Sequence, residues 1–351
     1  MVAVAMSGGV DSSVAAALLV RRGFRVIGLT MKLFCYAGAD RAKSCCSLDA
    51  IDAARQAADR LDIPHYVVDC QREFSRQVVD RFVAEYAAGR TPNPCVACNA
   101  AIKFGLLLDK ARALGCDCLA TGHYARIVKR RGVAVLARGL DGKKDQSYFL
   151  WPLSRGTLAH VLFPLGGLTK PQVREQARRS GMVSAGRPES QEICFVQHGS
   201  YTDFLAERVK PDPGDIVDVA GKVMGRHQGI IRYTVGQREG LGIALGRPQY
   251  VLRIDAQRNR IIVGDDQLLR STECMVSEVN WILPKPQRAV KAVVKIRHQH
   301  QGAQAAVRPL SGDRAAITFD EPQRAITPGQ SAVFYKGNLI LGGGVIETND
   351  K

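Results

Sequence analysis

The residues whose types and spacing could do chemistry begin near the start of the chain, in Ala5-Met6-Ser7-Gly8-Gly9-Val10-Asp11-Ser12-Ser13. An apolar run from Val2 to Met6 leads into them and reads as a buried strand. Val14 to Arg22 follows with helical spacing and closes at Gly23. A strand that turns through paired glycines into a helix start is a trap for anions. The backbone can approach phosphate where no side chain intervenes, and unbonded N–H groups and the helix dipole point at it. Ser7, Ser12 and Ser13 add hydroxyl groups. The stretch lacks both the Gly-Lys-Ser/Thr of a Walker loop and the three spaced glycines of the dinucleotide fingerprint. A phosphate loop of another kind is expected, with an ordinary strand–turn–helix corner as the plain alternative.

Sulfur is the second chemical resource. The 351 residues include ten cysteines, among them Cys95-x-x-Cys98, the adjacent Cys45-Cys46, and Cys194 in an Ile-Cys-Phe stretch. The N-terminus enters a strand at once, which leaves no room for a signal peptide, and no apolar run is long enough to span a membrane. A cytoplasmic protein with reduced thiols is expected, so conspicuous cysteines imply reactivity or metal binding rather than staples. Most of the others should be small buried hydrophobes. The net charge of +16, from 49 Lys and Arg against 33 Asp and Glu, favours a polyanionic partner, with nucleic acid first, over a merely solubilising surface.

The elements that must position these groups alternate. After the first strand and helix come a strand over Arg25–Lys32, an irregular stretch with Cys35, Cys45 and Cys46, a helix over Leu48–Leu61, a strand over His65–Asp69 and a helix over Arg72–Ala88. Arg90 to Asn99, with two prolines and two asparagines, reads as a stiff irregular loop carrying Cys95 and Cys98. A helix from Lys103 to Leu114 and a strand over Cys118–Thr121 complete a βα alternation, which predicts a doubly wound parallel sheet. Ligands of such sheets bind at the carboxyl ends of the strands. Met31 and Gly122 fall there and are candidates for an adenine and ribose pocket, although for Met31 alone core packing is the simpler role. A basic hairpin, Tyr124–Lys129 against Val133–Arg138, leads to Lys143-Lys144-Asp145-Gln146-Ser147, a mix suited to RNA contact or to a solvated turn. Beyond about residue 200, glycine-punctuated short strands predict a smaller β-rich domain, and from Val276 the strands suggest a closed β-barrel.

Taken in order, Met-Ser-Gly-Gly-Val-Asp-Ser-Ser, Gly-Arg-Thr-Pro-Asn-Pro with Cys98-Asn99 and Ile-Lys-Phe, Ala-Thr-Gly-His-Tyr, Lys-Asp-Gln-Ser-Tyr-Phe-Leu, Ile-Cys-Phe and Tyr-Thr-Val-Gly-Gln-Arg resemble the bacterial tRNA-specific 2-thiouridylase family. The first of these resembles the pyrophosphate loop of ATP pyrophosphatases. The resemblance runs from Val4 to about Ile346 and implies an α/β fold: a doubly wound parallel sheet of the ATP-pyrophosphatase type, then a small β-rich central domain and a C-terminal β-barrel. The expected boundaries are 1–197, 198–265 and 266–351.

The resemblance implies ATP-dependent 2-thiolation of the wobble uridine of tRNA, with release of AMP and pyrophosphate. Ala5, Met6, Ser7, Gly8, Gly9, Val10, Asp11, Ser12, Met31 and Gly122 would bind ATP, Asp11 through Mg²⁺. Cys194 would carry a persulfide, and Cys98 would act as the nucleophile that attacks it or resolves it through a transient disulfide. Asn93, Pro94 and Cys95 would meet the target base. Lys144, Asp145 and Gln146, together with Arg297 and His298, would contact tRNA. The implied partners are tRNA and a sulfur donor, and a monomer is expected. In many relatives an aspartate stands where this chain has Cys95, so an acid–base role there is in doubt. Cys95, Cys98 and Cys194, with Cys45-Cys46, raise a Zn²⁺ or [4Fe–4S] alternative, although one Cys-x-x-Cys pair is a weak metal signal. Two other readings compete: another pyrophosphatase-loop ligase, and a non-catalytic basic RNA-binding protein with a cysteine-bound metal.

Overall fold

The computed structural model describes residues 1–34, 48–130, 132–182, 193–196, 200–243 and 247–348. Cys35, Cys45 and Cys46 lie outside the described residues. The chain divides into two compact units. The first holds Met1–Val79, Cys95–His198 and Asn338–Ile340; the second holds Asp80–Pro94, Gly199–Gly337 and Leu341–Lys351.

In the first unit, β1 (Val2–Ala5), β2 (Val26–Lys32), β3 (His65–Asp69) and β4 (Cys118–Ala120) alternate with helices. A hairpin, β5 (Ala125–Arg130) and β6 (Val133–Arg138), precedes the short β7 (Val161–Leu162). The sheet order is β3-β2-β1-β4-β7, and every pairing within it is parallel. This is the doubly wound arrangement expected. Val2, Ala3 and Val4 of the central β1 are all buried, as a strand covered on both faces requires.

The helix Val10–Arg21 begins one turn earlier than its spacing suggests, so Asp11, Ser12 and Ser13 lie in its first turn rather than in a loop. It is clamped from two sides. Ala16 and Leu19 pack with β1, β2 and Ala54, Ala57 and Ala58 of the helix Leu48–Arg60. Val14, Ala15 and Ala17 pack with Tyr124, Leu165, Val173 and Ala177. A helix apolar nearly all round is a buried helix, and here it holds the loop before it in place.

The second correction concerns Arg90–Asn99. Helix begins at Pro94, runs to Ala97, widens to π pitch over Cys98–Leu107 and returns to α over Leu108–Ala113. Proline suits a first helical position because its missing N–H would be unbonded there in any case, so the stiffness read as a loop is in fact a helix start. Near the other end of the chain, Leu339 pairs with Ala137 of β6, and Arg138 N donates to Asn338 O at 2.8 Å.

The second unit contains a sheet of β8 (Gly214–Val217), β9 (Val223–His227), β10 (Tyr250–Asp255) and β11 (Arg260–Gly264) in the order β10-β11-β8-β9. Ile216, Tyr233, Val251, Ile261 and Val263 form its core. The hairpin β10–β11 turns at Asn259 in the left-handed region, φ 49°, as the Arg258-Asn259 pair suggests. Six further strands follow: β12 (Arg270–Trp281), β13 (Val290–Lys295), β14 (Ala303–Pro309), β15 (Ala315–Arg324), β16 (Ser331–Lys336) and β17 (Leu339–Ile346). They run in the order β12-β15-β14-β13-β16-β17, and β12 pairs with β17 from Val276↔Ile346 to Trp281↔Gly342, which closes the expected barrel. Val276, Val294, Val307, Ile317 and Phe334 fill it. Among the described residues no helix is long and apolar enough to cross a membrane.

One buried titratable group reports on the integrity of the first unit. His123, just past β4, accepts or donates at Nδ1 to Thr121 Oγ1 at 2.6 Å and lies between Phe104 and Phe163, ring centroids 5.8 and 5.9 Å away. Burial pushes its pKa well below 6.5, and the charge of Lys103 adds to the effect. The folded ring stays neutral, whereas the unfolded chain takes up a proton as pH falls through about 6.5. Stability therefore falls below that pH, by up to about 1.4 kcal/mol per unit for one proton, until the folded pKa is reached. The urea midpoint of the wild type should drop more steeply between pH 7 and 5 than that of His123→Gln; parallel curves would remove His123 as the source.

Candidate active site

The loop between β1 and its helix depends on one glycine more than the other. Gly8 has φ +69°, and a Cβ there would lie 2.3 Å from Ala50 O, so no other residue fits without moving backbone. Gly9 caps the helix at φ −86°, and a Cβ on it would meet only Ser7 Oγ, at 3.5 Å. The serines also divide. Ser12 Oγ donates to Gly9 O at 3.0 Å and accepts from Ser7 N at 3.2 Å, while Ser13 Oγ donates to Gly9 O at 3.1 Å. Both are buried and shape the turn, whereas Ser7 is exposed, its hydroxyl 3.4 Å from Ser12 Oγ.

Met6 is buried beneath the loop, and its carbonyl accepts from Thr30 Oγ1 at 2.8 Å. Because that hydroxyl donates to Met6, it must accept from His65 Nε2, 2.8 Å away, which places the ring proton on Nε2. Burial, with the charge of Arg55, lowers the His65 pKa and favours this neutral form. Sequence reading missed the Thr30–His65 support because its partners lie on different strands. Met31 sits half-buried in β2 opposite Val68. Gly122 packs against the loop's helix: a Cβ there would lie 2.8 Å from Asp11 C and 2.9 Å from Ser12 N.

Asp11 is where the segments converge. Lys170 Nζ lies 2.8 Å from both of its carboxylate oxygens, and Tyr124 OH donates to Oδ1 at 2.8 Å. The lysine side chain is only 8% exposed. Lys170 opens the helix Lys170–Arg179, whose start is fixed by Gln172 Oε1 accepting from Thr169 N at 2.8 Å and by Lys170 N donating to Asp141 Oδ2 at 3.0 Å. Asp11 therefore presents a compensated ion pair beside the loop, not a bare carboxylate. Lys170 and Tyr124 were not legible as partners from the sequence; the only signal was a lysine at a proline-marked helix start.

The segment Lys144–Gln146 is tied to the same network. Asp145 accepts from Gly139 N, Ser147 N and Ser147 Oγ at 3.0 to 3.1 Å, and Gln146 Oε1 accepts from Tyr124 N at 2.9 Å. These two side chains hold the strand-end turns together, a scaffold role beyond the RNA contact expected of them. Lys144 is half-buried. In the second unit, Arg297 and His298 are exposed in the turn after β13, where Arg297 Nη1 donates to Arg324 O at 3.3 Å.

The cysteines fall into two sets. Burial pushes the thiol of Cys70 up to about 11 and that of Cys274 up to about 12, and raises Cys116 and Cys118 as well. These are packing residues. Asn93 is half-buried, Pro94 buried and Cys95 exposed, and one helical turn on from Cys95 comes the buried Cys98. Asn99, next to it, donates from Nδ2 to Phe149 O at 3.2 Å and keeps a buried Oδ1 with no hydrogen-bond partner. Cys194 is half-buried and followed by Phe195, which packs edge-on against Phe74 at 5.9 Å, itself against Phe34 at 5.6 Å. Neither Cys98 nor Cys194 is in a disulfide. Among the described residues no three His, Cys, Asp or Glu side chains are grouped to hold a metal ion.

Three family models match the chain: a tRNA methyl transferase HUP domain over residues 1–198, a tRNA methyl transferase PRC-barrel domain over 202–265, and an aminomethyltransferase beta-barrel domain over 271–346. A protein named tRNA-specific 2-thiouridylase MnmA from Moorella thermoacetica is 51% identical, with 98% of this chain and 99% of the relative covered. Its namesake from Geobacter metallireducens is 49% identical over 99% and 96%. Among solved structures, the U34-tRNA thiolase NcsA from Methanococcus maripaludis with its [4Fe-4S] cluster is 20% identical, covering 59% of this chain and 64% of its own at a TM-score of 0.35. A likeness that slight says nothing of a cluster here.

Two outcomes are expected of the loop. Gly8→Ala should abolish pyrophosphate release from ATP and lower stability by at least about 2 kcal/mol, while Gly9→Ala should fold normally. Equal behaviour of the two variants, by activity assay and urea titration, would contradict the geometry. Lys170→Met should strand a partly buried carboxylate and cost about 1–3 kcal/mol, the range for a buried pair reduced for the exposure of Asp11. Adding Asp11→Asn should recover part of that loss, and a double-mutant cycle with no coupling would dissolve the pair as a unit.

Proposed function

Because this chain belongs to the tRNA-specific 2-thiouridylase family, we infer that it is a tRNA sulfurtransferase that replaces the C2 carbonyl oxygen of an anticodon wobble uridine with sulfur, at the expense of ATP. The observation that carries the reading is identity of 49–51% to proteins of that name over 98–99% of the chain. The family-model descriptions speak of methyl transfer. A glycine-turn phosphate loop, with Cys98 and Cys194 in the roles that the resemblance implies, favours thiolation, since methyl transfer needs neither.

A carbonyl oxygen is a poor leaving group. In the reaction we propose, the uridine O2 attacks the α-phosphorus of ATP, pyrophosphate departs, and the oxygen becomes part of an adenylate. The β- and γ-phosphates belong on the Gly8–Gly9 turn, where backbone N–H groups and the helix start favour negative charge. Mg²⁺ comes with ATP on its phosphates. Both Asp11 oxygens already bear the Lys170 ammonium, so a direct Asp11–Mg²⁺ bond would require the lysine to leave, and no step is assigned to it. Uncoiling the wobble base from the anticodon stack costs a few kcal/mol.

Sulfur arrives at Cys194 as a persulfide from a donor protein. Its terminal sulfur attacks C2, a C–S bond forms, and the C–O bond breaks with AMP as the leaving group. Cys98 thiolate then attacks the Cys194 sulfur, which leaves the second sulfur on the base as the thiocarbonyl and closes a Cys98–Cys194 disulfide. A dithiol reductant restores both thiols. Asn93, Pro94 and Cys95 are assigned to the approach of the base. Asn99 Oδ1, buried without a partner beside Cys98, is an acceptor suited to hold a uracil N–H.

Incubation with ATP, Mg²⁺, a sulfur donor and unmodified tRNA should give 2-thiouridine by nucleoside mass spectrometry, with AMP and pyrophosphate in equal amount. Cys194→Ser should lose more than about 10⁴-fold of the thiolation rate, beyond what a general acid–base loss would cost, yet still bind tRNA. Normal thiolation by that variant would sink the persulfide assignment.

A further inference from the structure

The second unit contains a cavity of about 520 Å³ lined by Thr202, Gln228, Arg232, Tyr233, Gln237 and Gly240. The described lining contains a guanidinium, two amides and two hydroxyls but no carboxylate. Arg232 Nε is buried without a hydrogen-bond partner. Leaving a charged donor unsatisfied away from water is costly, and the cost is recovered when an acceptor enters.

The backbone holds this arginine in place before any ligand arrives. His227 Nδ1 accepts from Gly229 N at 3.0 Å, so its proton is on Nε2, which donates to Asn259 O at 3.1 Å. Burial lowers the His227 pKa, which keeps that neutral tautomer. Gly229, at φ +112°, then opens the 3₁₀ turn Ile230–Arg232. Tyr233 is buried in the core beside it. Gln237 is fixed as well: Oε1 accepts from Thr234 N and Nε2 donates to Glu239 O, each at 3.0 Å. Asp203 feels the charge of Arg232, but Ser200 engages its carboxylate through N and Oγ at the cap of the helix Tyr201–Ala206. A second cavity, of about 340 Å³, shares Gly240 and carries Arg238 and Arg247.

We propose that the Arg232 cavity binds a phosphorylated ribonucleoside, with the phosphate on the arginine fork and the nucleoside in the body of the pocket, and that Arg238 and Arg247 continue the phosphate track. A guanidinium matches phosphate oxygens two at a time, and the volume lies within the range of small-molecule sites. The cavity's lining shares no residue with those assigned to thiolation. Its ligand is a nucleotide of the tRNA or a free nucleotide such as AMP; the RNA source rests on the function proposed above.

The test uses the full-length protein and Arg232→Gln, with Arg232→Lys as the charge-keeping control. In the RNA arm, Arg232→Gln should weaken unmodified tRNA binding about 5- to 10-fold at moderate salt and lower the log K against log salt slope by about one, with Arg232→Lys in between. In the nucleotide arm, titration calorimetry with AMP should show a wild-type site that Arg232→Gln removes if the source is the free nucleotide. Loss in either arm supports the cavity and names its source. Unchanged tRNA affinity and salt slope overturn it when AMP either does not bind the wild type or binds Arg232→Gln as it binds the wild type, since AMP also fits the phosphate loop. Should the variant fail to fold, hydrogen exchange on the wild type decides: protection of Gly229–Gly240 on adding tRNA or AMP supports the site, and no protection with either removes it. Wild-type protein that thiolates tRNA while these arms fail leaves the functional reading standing; wild-type protein that neither binds nor thiolates tRNA brings that reading down first.

Discussion

The ion pair between Asp11 and Lys170 is the constraint on which the first unit turns. A loop that gathers backbone N–H groups and a helix dipole for phosphate gains nothing from a bare carboxylate in its first turn. Lys170, buried and 2.8 Å from both oxygens, cancels that charge, and Tyr124 adds a hydroxyl donor. The pair in turn fixes what surrounds it. Lys170 must stand at the start of its helix, which Asp141 and Gln172 secure; Tyr124 must stand at the end of β4, which Gln146 secures. Gly122 must be bare so that this strand end can lie against the helix of Asp11. Residues from distant parts of the chain are thus held to one point by charge and sterics together.

Much of this was open to a reader of the sequence because it is local. Paired glycines after an apolar run mark a tight turn wherever they occur, and alternating apolar strands and helices fix a parallel order. The closing of the barrel followed from evenly spaced short strands. What stayed hidden was either contextual or non-local. Pro94 was legible as rigid but not as helical, since the same fixed φ serves a loop and a helix start. The helix at Val10 begins sooner than its apolar period because serines and an aspartate, polar by composition, occupy its buried first turn. Lys170 and Asp11 are 159 positions apart, and nothing in either neighbourhood names the other. The roles of Cys98 and Cys194 came from resemblance, not from periodicity.

The basic character of the chain is not spread evenly in purpose. Some cations are spent on architecture: Lys170 on Asp11, and Arg90 on Glu85 in a two-pronged pair at 2.7 Å. Others, such as Lys129 and Arg130 on the hairpin and Arg297 in the barrel turn, are exposed and available for long-range attraction of a polyanion. Net charge alone cannot tell these uses apart; burial can. Asp145 and Gln146, half-buried, carry internal hydrogen bonds as well as the RNA contact expected of them.

The way the chain is shared between the two units also bears on how it is made. Asp80–Pro94 belongs with residues synthesised more than a hundred positions later, and Asn338–Ile340 belongs with a unit otherwise finished by His198. During translation the central sheet can assemble early, but β6 must wait for Leu339, and β12 must wait for Ile346 before its edge is covered. Unpaired strand edges are sites of aggregation until then. Both edges stay open until β17 emerges, and that one strand is the clasp that shuts them.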